Sequence, residues 1–268
     1  MNKIVYIVLH DFTEVGDAAL KYATYLSQNV SCEIKVLHIV ADLHDIANAE
    51  KKIDQIIAKS DKTSNVSMTS LIRVGSIFED IGKVVSEEKA QLVIMGTHGM
   101  KGFQKIFGSY AMKVVTSSEA PFIVLQKETL PKELKKIIVP IDLSNESLQI
   151  INSAGDIAQM FNAKIYLAYE KQNDLHLQRQ IKNKIKVVRS KYKQREIVCE
   201  MVQLESSGAY NKKIMAYSKE NGIDLIAISY HTLSILPQFD KFAQSLITNE
   251  SNLPCMIINS KESSFSYF

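Results

Sequence analysis

The feature that most constrains this chain is that it repeats itself. Gly75 and Gly208 stand 133 residues apart, and so do Pro121 and Pro254, each leading into an apolar run, FIVLQ and CMIIN. QLVIMG at 91–96 returns as DLIAIS at 224–229 on the same offset. Asp11 and Asp142, each just after the first apolar run of its half, are 131 residues apart. Four landmarks on nearly one offset mean a duplicated unit of about 130 residues, so the second half should repeat the fold of the first. A length of 268 residues accommodates two such domains. The expected boundaries are 1–128 and 136–268, with the polar stretch Glu128–Lys135 around Pro131 as linker.

Within the first half, short β-rich runs alternate with helical patterns. Ile4–Leu9, Glu33–Val40, Ser67–Val74, Leu92–Met95 and Phe122–Gln126 read as strands, the nearly unbroken apolar ones as strands covered on both faces. Between them, Glu14–Gln28 carries Val15, Ala19, Tyr22, Ala23 and Leu26 on one helical face. Further helices are marked by Ile46, Ala49, Ile53, Ile56 and Ile57, by Phe78, Ile81, Val84 and Val85, and by Ile106, Ala111, Val114 and Val115. Gly96–Gly108 reads as a loop with four glycines. Strands alternating with helices predict a parallel sheet flanked by helices on both faces. Lys136–Pro140 restarts the pattern.

Composition narrows the class of partner. With 46% hydrophobic and 23% charged residues, each half can bury a core without staples. A formal charge of +3 does not by itself suggest nucleic acid or a membrane. Cys32, Cys199 and Cys255 form no CxxC or Cys/His cluster; Cys32 and Cys255 lie in apolar runs and read as core residues in a reducing compartment. No stretch approaches the roughly 18 apolar residues of a membrane span, and the N-terminal apolar run is too short for a signal-peptide core. The expected location is the cytoplasm.

VLHDFTE near the start, VGSIFEDI in the middle, and MGTHGMKGFQKIFGS followed by APFIVLQ resemble the universal stress protein family along the whole first half. The family signature is Gly, two residues, Gly, nine residues, then Gly and Ser or Thr; Gly96, Gly99, Gly108 and Ser109 fit it with eight residues, not nine, between Gly99 and Gly108. The resemblance implies two adenine-nucleotide alpha-hydrolase-like (Rossmann-like) α/β domains, each a five-stranded parallel sheet. It implies pairing of the domains through their last strands, Phe122–Gln126 and Cys255–Asn259, as an intramolecular pseudo-dimer. Whether the tandem unit pairs again into a homodimer is open.

The resemblance also implies a ligand, ATP or another adenine nucleotide, with or without magnesium. In nucleotide-binding members the aspartate matching Asp11 meets the ribose, and the residue matching Val40 lines the adenine. The glycines have their own physics at the carboxyl end of a parallel strand. They allow positive φ and close approach of N–H groups to phosphate, while the helix opening near Gly108 and Ser109 offers free N–H groups to the same anion. An equally open reading is that the glycines only permit a tight turn and that the shortened loop leaves the cleft without nucleotide. In the second half Ser229, Thr232, Lys241 and Phe242 stand at the positions of Gly96, Gly99, Gly108 and Ser109, so only the first domain is expected to bind.

The remaining chemistry is sparse. His98 lies in the loop without a partner carboxylate, and His10 beside Asp11 forms a His/Asp pair with no nucleophile elbow. Neither a catalytic residue nor a metal site is expected. From Leu175 to Arg195 the chain carries eight basic residues and no acidic one, with Leu177, Ile181, Ile185, Val188 and Tyr192 at helical spacing. This reads as a helix with one packed face and a solvated basic remainder, with an acidic protein partner or a polyanion as the sharper readings and nucleic acid not preferred. The leading function is a nucleotide-responsive stress or signalling module. The alternatives are a ligand-free interaction scaffold and a slow ATPase on the same cleft.

Overall fold

The computed structural model describes residues 4–60, 66–97, 107–231 and 241–260. They divide into two compact units, Met1–Lys132 with Ile247–Pro254, and Glu133–Leu246 with Cys255–Phe268. In the first unit, β1 (Ile4–Leu9), β2 (Cys32–Val40), β3 (Ser67–Val74), β4 (Leu92–Thr97) and β5 (Phe122–Gln126) run parallel in the order β3-β2-β1-β4-β5. Helices α1 (Glu14–Ser27), α2 (Ile46–Ser60), α3 (Asp80–Glu87) and α4 (Phe107–Thr116) connect them. In the second unit, β6 (Lys136–Pro140), β7 (Lys164–Glu170), β8 (Cys199–Leu204), β9 (Leu225–His231) and β10 (Cys255–Ser260) repeat the order as β8-β7-β6-β9-β10. Its helices are α5 (Ile150–Phe161), α6 (Leu175–Gln194), α7 (Tyr210–Asn221) and α8 (Lys241–Ile247).

The apolar runs become the inner strands because only there are both faces covered. Ile7, Val8, Ile34, Val36, Val93 and Ile94 are buried in the first unit, and Ile137, Ile138, Ile165, Leu167 and Ile226 in the second. Each such side chain contributes about 1.5–3 kcal/mol relative to exposure. β3 and β8, first in the two orders, are only half-buried. Chain ends of helices follow local rules: α5 stops at Asn162 and α7 at Gly222, both left-handed, and Asp174 caps α6 by accepting from Leu177 N–H at 2.9 Å.

Two expected boundaries shift. β4 continues through Gly96 and Thr97, because both pair with β5, opposite Leu125 and Gln126. The loop expected from Gly96 therefore starts later. α3 begins at Asp80, so Phe78 lies in the preceding turn, where the Asp80 carboxylate accepts from Ser76 N–H at 2.8 Å. α4 begins at Phe107, and Ile106 lies outside the described residues. Cys32 and Cys255 are buried as expected, and burial pushes the Cys32 thiol up to about 11. The basic stretch is helical, with Ile181, Ile185, Val188 and Tyr192 buried.

Candidate functional site

In each unit the connection from the first strand (β1, β6) goes to one side and that reaching the fourth (β4, β9) to the other, which opens a crevice between their carboxyl ends. Asp11 in the first unit and Asp142 in the second follow β1 and β6 at this point. Asp11 Oδ1 accepts from Thr13 N–H at 3.1 Å and from Thr13 Oγ1 at 2.5 Å. Asp142 Oδ1 does the same with Ser144 N–H at 2.8 Å and Ser144 Oγ at 2.5 Å. The duplicated aspartate thus builds one turn twice, exposed both times. Val40 ends β2 as a buried residue whose carbonyl accepts from Gly75 N–H at 2.9 Å.

Gly96 has a packing reason for lacking a side chain. A Cβ there would stand 2.2 Å from the Val15 carbonyl oxygen at the start of α1. The second unit solves the same contact differently: Ser229, on the matching strand, donates its hydroxyl to Glu146 O at 2.7 Å, and Glu146 is 131 residues after Val15. Gly99, His98 and Thr232 lie outside the described residues. Gly108 and Ser109 fall in the first turn of α4, and Lys241 and Phe242 in the first turn of α8.

The turn after β1 carries more than its aspartate. Phe12 adopts a left-handed backbone, φ 64°, unusual for a side chain of this size. Its N–H donates to His10 Nδ1 at 3.0 Å, so the His10 proton sits on Nε2, which donates to Asp17 Oδ1 at 3.1 Å. The buried His10 ring therefore pins the turn to α1. The partner of His10 is Asp17, and not the adjacent Asp11 expected from the sequence, because Asp11 turns back onto Thr13. His38 Nδ1–H donates to His10 O at 2.7 Å, and its ring lies 4.1 Å from that of Phe12, centroid to centroid. Lys52 Nζ stands over the Phe12 ring at 5.4 Å.

Among the described residues the two carboxyl edges differ in what covers them. In the first unit Phe12, Leu43, Val74 and Ile77, which follow or end β1, β2 and β3, are 37%, 76%, 37% and 45% exposed. In the second unit Tyr210 stands 133 residues after Ile77. Its hydroxyl donates into Ala168 O at 2.9 Å and Ile141 O at 3.2 Å, and its ring stacks on Phe242 at 5.4 Å. Burial holds the Tyr210 phenol well above its ordinary pKa. Lys184, from α6, reaches the turn of Asp142 and donates to Leu143 O at 2.5 Å and Ser144 O at 2.6 Å. Desolvation lowers its pKa, opposed by the nearby Asp142 and Glu146 carboxylates. The second edge is thus covered by its own phenol and ammonium.

Two other features were not singled out by the sequence. Asp42, His44 and Asp45 bring three ligand atoms within 4.8 Å of one another on the short turn after β2, all at the surface. A groove of about 950 Å³ runs between α1 and α2, lined by Leu20, Lys21, Thr24, Tyr25, Ile56 and Leu130 among others. None of Asp11, Val40 or Gly96 lines it. Phe12, His38, Lys184 and Tyr210 were missed, and His10 was read with another partner; the sequence signal was the exchange of HDFT for IDLS between the halves. No described helix is long and apolar enough to cross a membrane.

Residues 1–126 match the model of the Universal stress protein family. A universal stress protein of Methanocaldococcus jannaschii is 23% identical over 157 residues, covering 47% of this chain and 96% of that protein. The crystal structure of a universal stress protein from Archaeoglobus fulgidus superposes with a TM-score of 0.76 at 16% identity, over 97% of this chain and 100% of that one. A protein of unknown function from Pseudomonas aeruginosa PAO1 gives a TM-score of 0.63 at 15% identity, over 97% and 93%. At these identities the two structures show a shared fold.

Proposed function

Residues 1–126 belong to the universal stress protein family, and from that premise we propose that the chain is a cytoplasmic nucleotide-responsive module whose first domain alone takes an adenine nucleotide. The observation that carries this reading is the contrast between the two carboxyl edges. The first leaves Asp11 and a set of apolar side chains exposed beside Val40, which suits a ribose and a flat apolar base. The second is occupied by the Tyr210 hydroxyl and the Lys184 ammonium, so a ligand there has to displace hydrogen bonds already made. The phosphates would meet the N-terminus of α4, where Gly108 and Ser109 lie in the first turn. Magnesium, if a triphosphate is bound, would come with the phosphates.

In this reading the nucleotide is a signal rather than a substrate. Phosphoryl transfer needs a carboxylate to anchor metal and a group to orient water at the terminal phosphate, whereas this reading gives Asp11 to the ribose. The reading includes coupling of the domains through Phe122–Gln126 and Cys255–Asn259, so that occupancy of one is felt by the other. Calorimetric titration with ATP tests it, with hydrogen exchange followed in the same titration. The expected result is one site per chain, weakened but not abolished by Asp11→Ala, with slower exchange at the Cys255–Asn259 amides on binding. Two equivalent sites, or no binding at all, would overturn the reading. Steady phosphate release abolished by Asp11→Ala would replace it with the ATPase.

A further inference from the structure

Helix α6 carries eight basic residues and no acidic one between Leu175 and Arg195, but they do not do the same thing. Lys184 caps the turn of Asp142, and Arg195 donates to Asp156 Oδ1 at 2.6 Å and to Gln159 Oε1 at 2.5 Å. Both therefore point inward over α5 and the end of β6. Arg179, Lys182, Lys186, Arg189 and Lys193 follow one another at steps of 3, 4, 3 and 4 residues, which places them in a single row on the helix. All five are exposed, and among the described residues none is paired with a carboxylate. The row spans 14 residue steps, about 21 Å.

The row lies on the flank away from Lys184 and Arg195, toward the β8 side of the sheet. Arg189 is close enough to Cys199, the first residue of β8, to favour ionisation of its thiol, though burial dominates there. Among the described residues β8 pairs with β7 alone. Ile165 N–H donates to Val198 O and Lys171 N–H to Leu204 O, so the even-numbered residues direct their peptide groups at β7. The peptide groups of Cys199, Met201 and Gln203 consequently point outward, as a parallel ladder requires. Met201 is 48% exposed and Val187, on the solvent side of α6, is 59% exposed. A six-residue strand is about 20 Å long, the same length as the row of cations beside it.

We propose that β8 and the basic row of α6 form a docking site for an acidic extended peptide, which adds to β8 as a further strand and sets its acidic side chains against Arg179, Lys182, Lys186, Arg189 and Lys193. Backbone pairing supplies the geometry, because a strand edge accepts any sequence that is extended. The cations supply the choice, since a basic or neutral segment gains nothing from the row. Acidic residues at alternate positions of an added strand recur every 6–7 Å or so, comparable to the spacing of the row. The exposed Met201 side chain and the outward peptide groups favour a peptide over nucleic acid, which needs only the charges.

The test uses the full chain and a fluorescent peptide of alternating valine and glutamate, followed by anisotropy at low salt. Controls are a peptide of the same composition with its glutamates in one block, and a duplex DNA of similar charge. Lys186→Glu with Arg189→Glu removes and reverses part of the row on an exposed helix face. Met201→Pro removes one outward N–H but no bond to β7, the position at which an edge strand tolerates proline. The expected result is binding of the alternating peptide, weakened about tenfold or more by each of the two changes, with melts close to wild type. Absence of peptide binding overturns the proposal. So does equal binding of the blocked peptide, or indifference to Met201→Pro. DNA binding that depends on the row while Met201→Pro leaves it unchanged would make the surface a polyanion site instead.

Discussion

Gly96→Ala isolates what the most conspicuous glycine of the first unit does. The added Cβ would lie 2.2 Å from Val15 O and 2.6 Å from its carbonyl carbon. A carbon–oxygen contact settles at roughly 3.3 Å, so about 1 Å of separation has to be found. α1 cannot easily supply it: Val15 is buried, and Asp17 two residues later is held by His10. β4 cannot either, since it is paired on both sides, with β1 and β5. Overpacking against backbone of this kind costs about 3 kcal/mol, and in a unit of this size that lowers Tm by roughly 10 °C. Differential scanning calorimetry without nucleotide reads it directly. Ser229→Ala at the matching position only removes the hydroxyl bonded to Glu146 O, costing about 1 kcal/mol, a few degrees. A Gly96→Ala protein that melts like wild type would show that β4 and α1 do not approach as described. Gly96 would then have to be explained by its ligand alone.

The cysteines should be poor nucleophiles. Burial pushes the Cys32 and Cys199 thiols up to about 11 and Cys255 higher still, so alkylation by iodoacetamide at pH 7.5 should be far slower than for a free thiol and accelerate on denaturation. Rapid labelling of Cys32 or Cys255 in the native protein would contradict their burial. Asp80 accepts from Lys83 and from Ser76 N–H, which lowers its pKa, so its contribution to stability is present above the ordinary carboxylate range and is lost as pH falls through the lowered value. Lys83→Ala should move the Asp80 titration upward by NMR and shrink the stability lost on acidification; an unmoved titration would remove Lys83 as the cause.

The duplication, the five strands of the first half and their alternation with helices were legible because each is a local or periodic property. Continuous apolar runs such as IVYIVL and KIIVP can only be inner strands, and the repeat of landmarks fixes that the second half copies the first. The aspartates were legible for the same reason, since a polar residue ending an apolar run marks the carboxyl edge of a parallel sheet. The basic stretch was visible as eight cations around an apolar face at helical spacing, but not which five of them form a row free of Lys184's and Arg195's partners.

What the sequence did not determine is which side chains from distant segments converge on each edge. Lys184 reaches Leu143 across 41 residues, and Tyr210 reaches Ala168 across 42 and Ile141 across 69. The space that Tyr210 covers has only Ile77 at the matching position of the first unit. Adjacency in sequence paired His10 with Asp11, whereas the left-handed turn at Phe12 gave it Asp17 on the next helix. The need for Gly96 likewise comes from Val15, 81 residues earlier, whose carbonyl approaches only once α1 packs against β4. Periodicity reports which face of an element is buried. It carries no information about which other element does the burying, so which described side chains cover each edge is decided only in the folded chain.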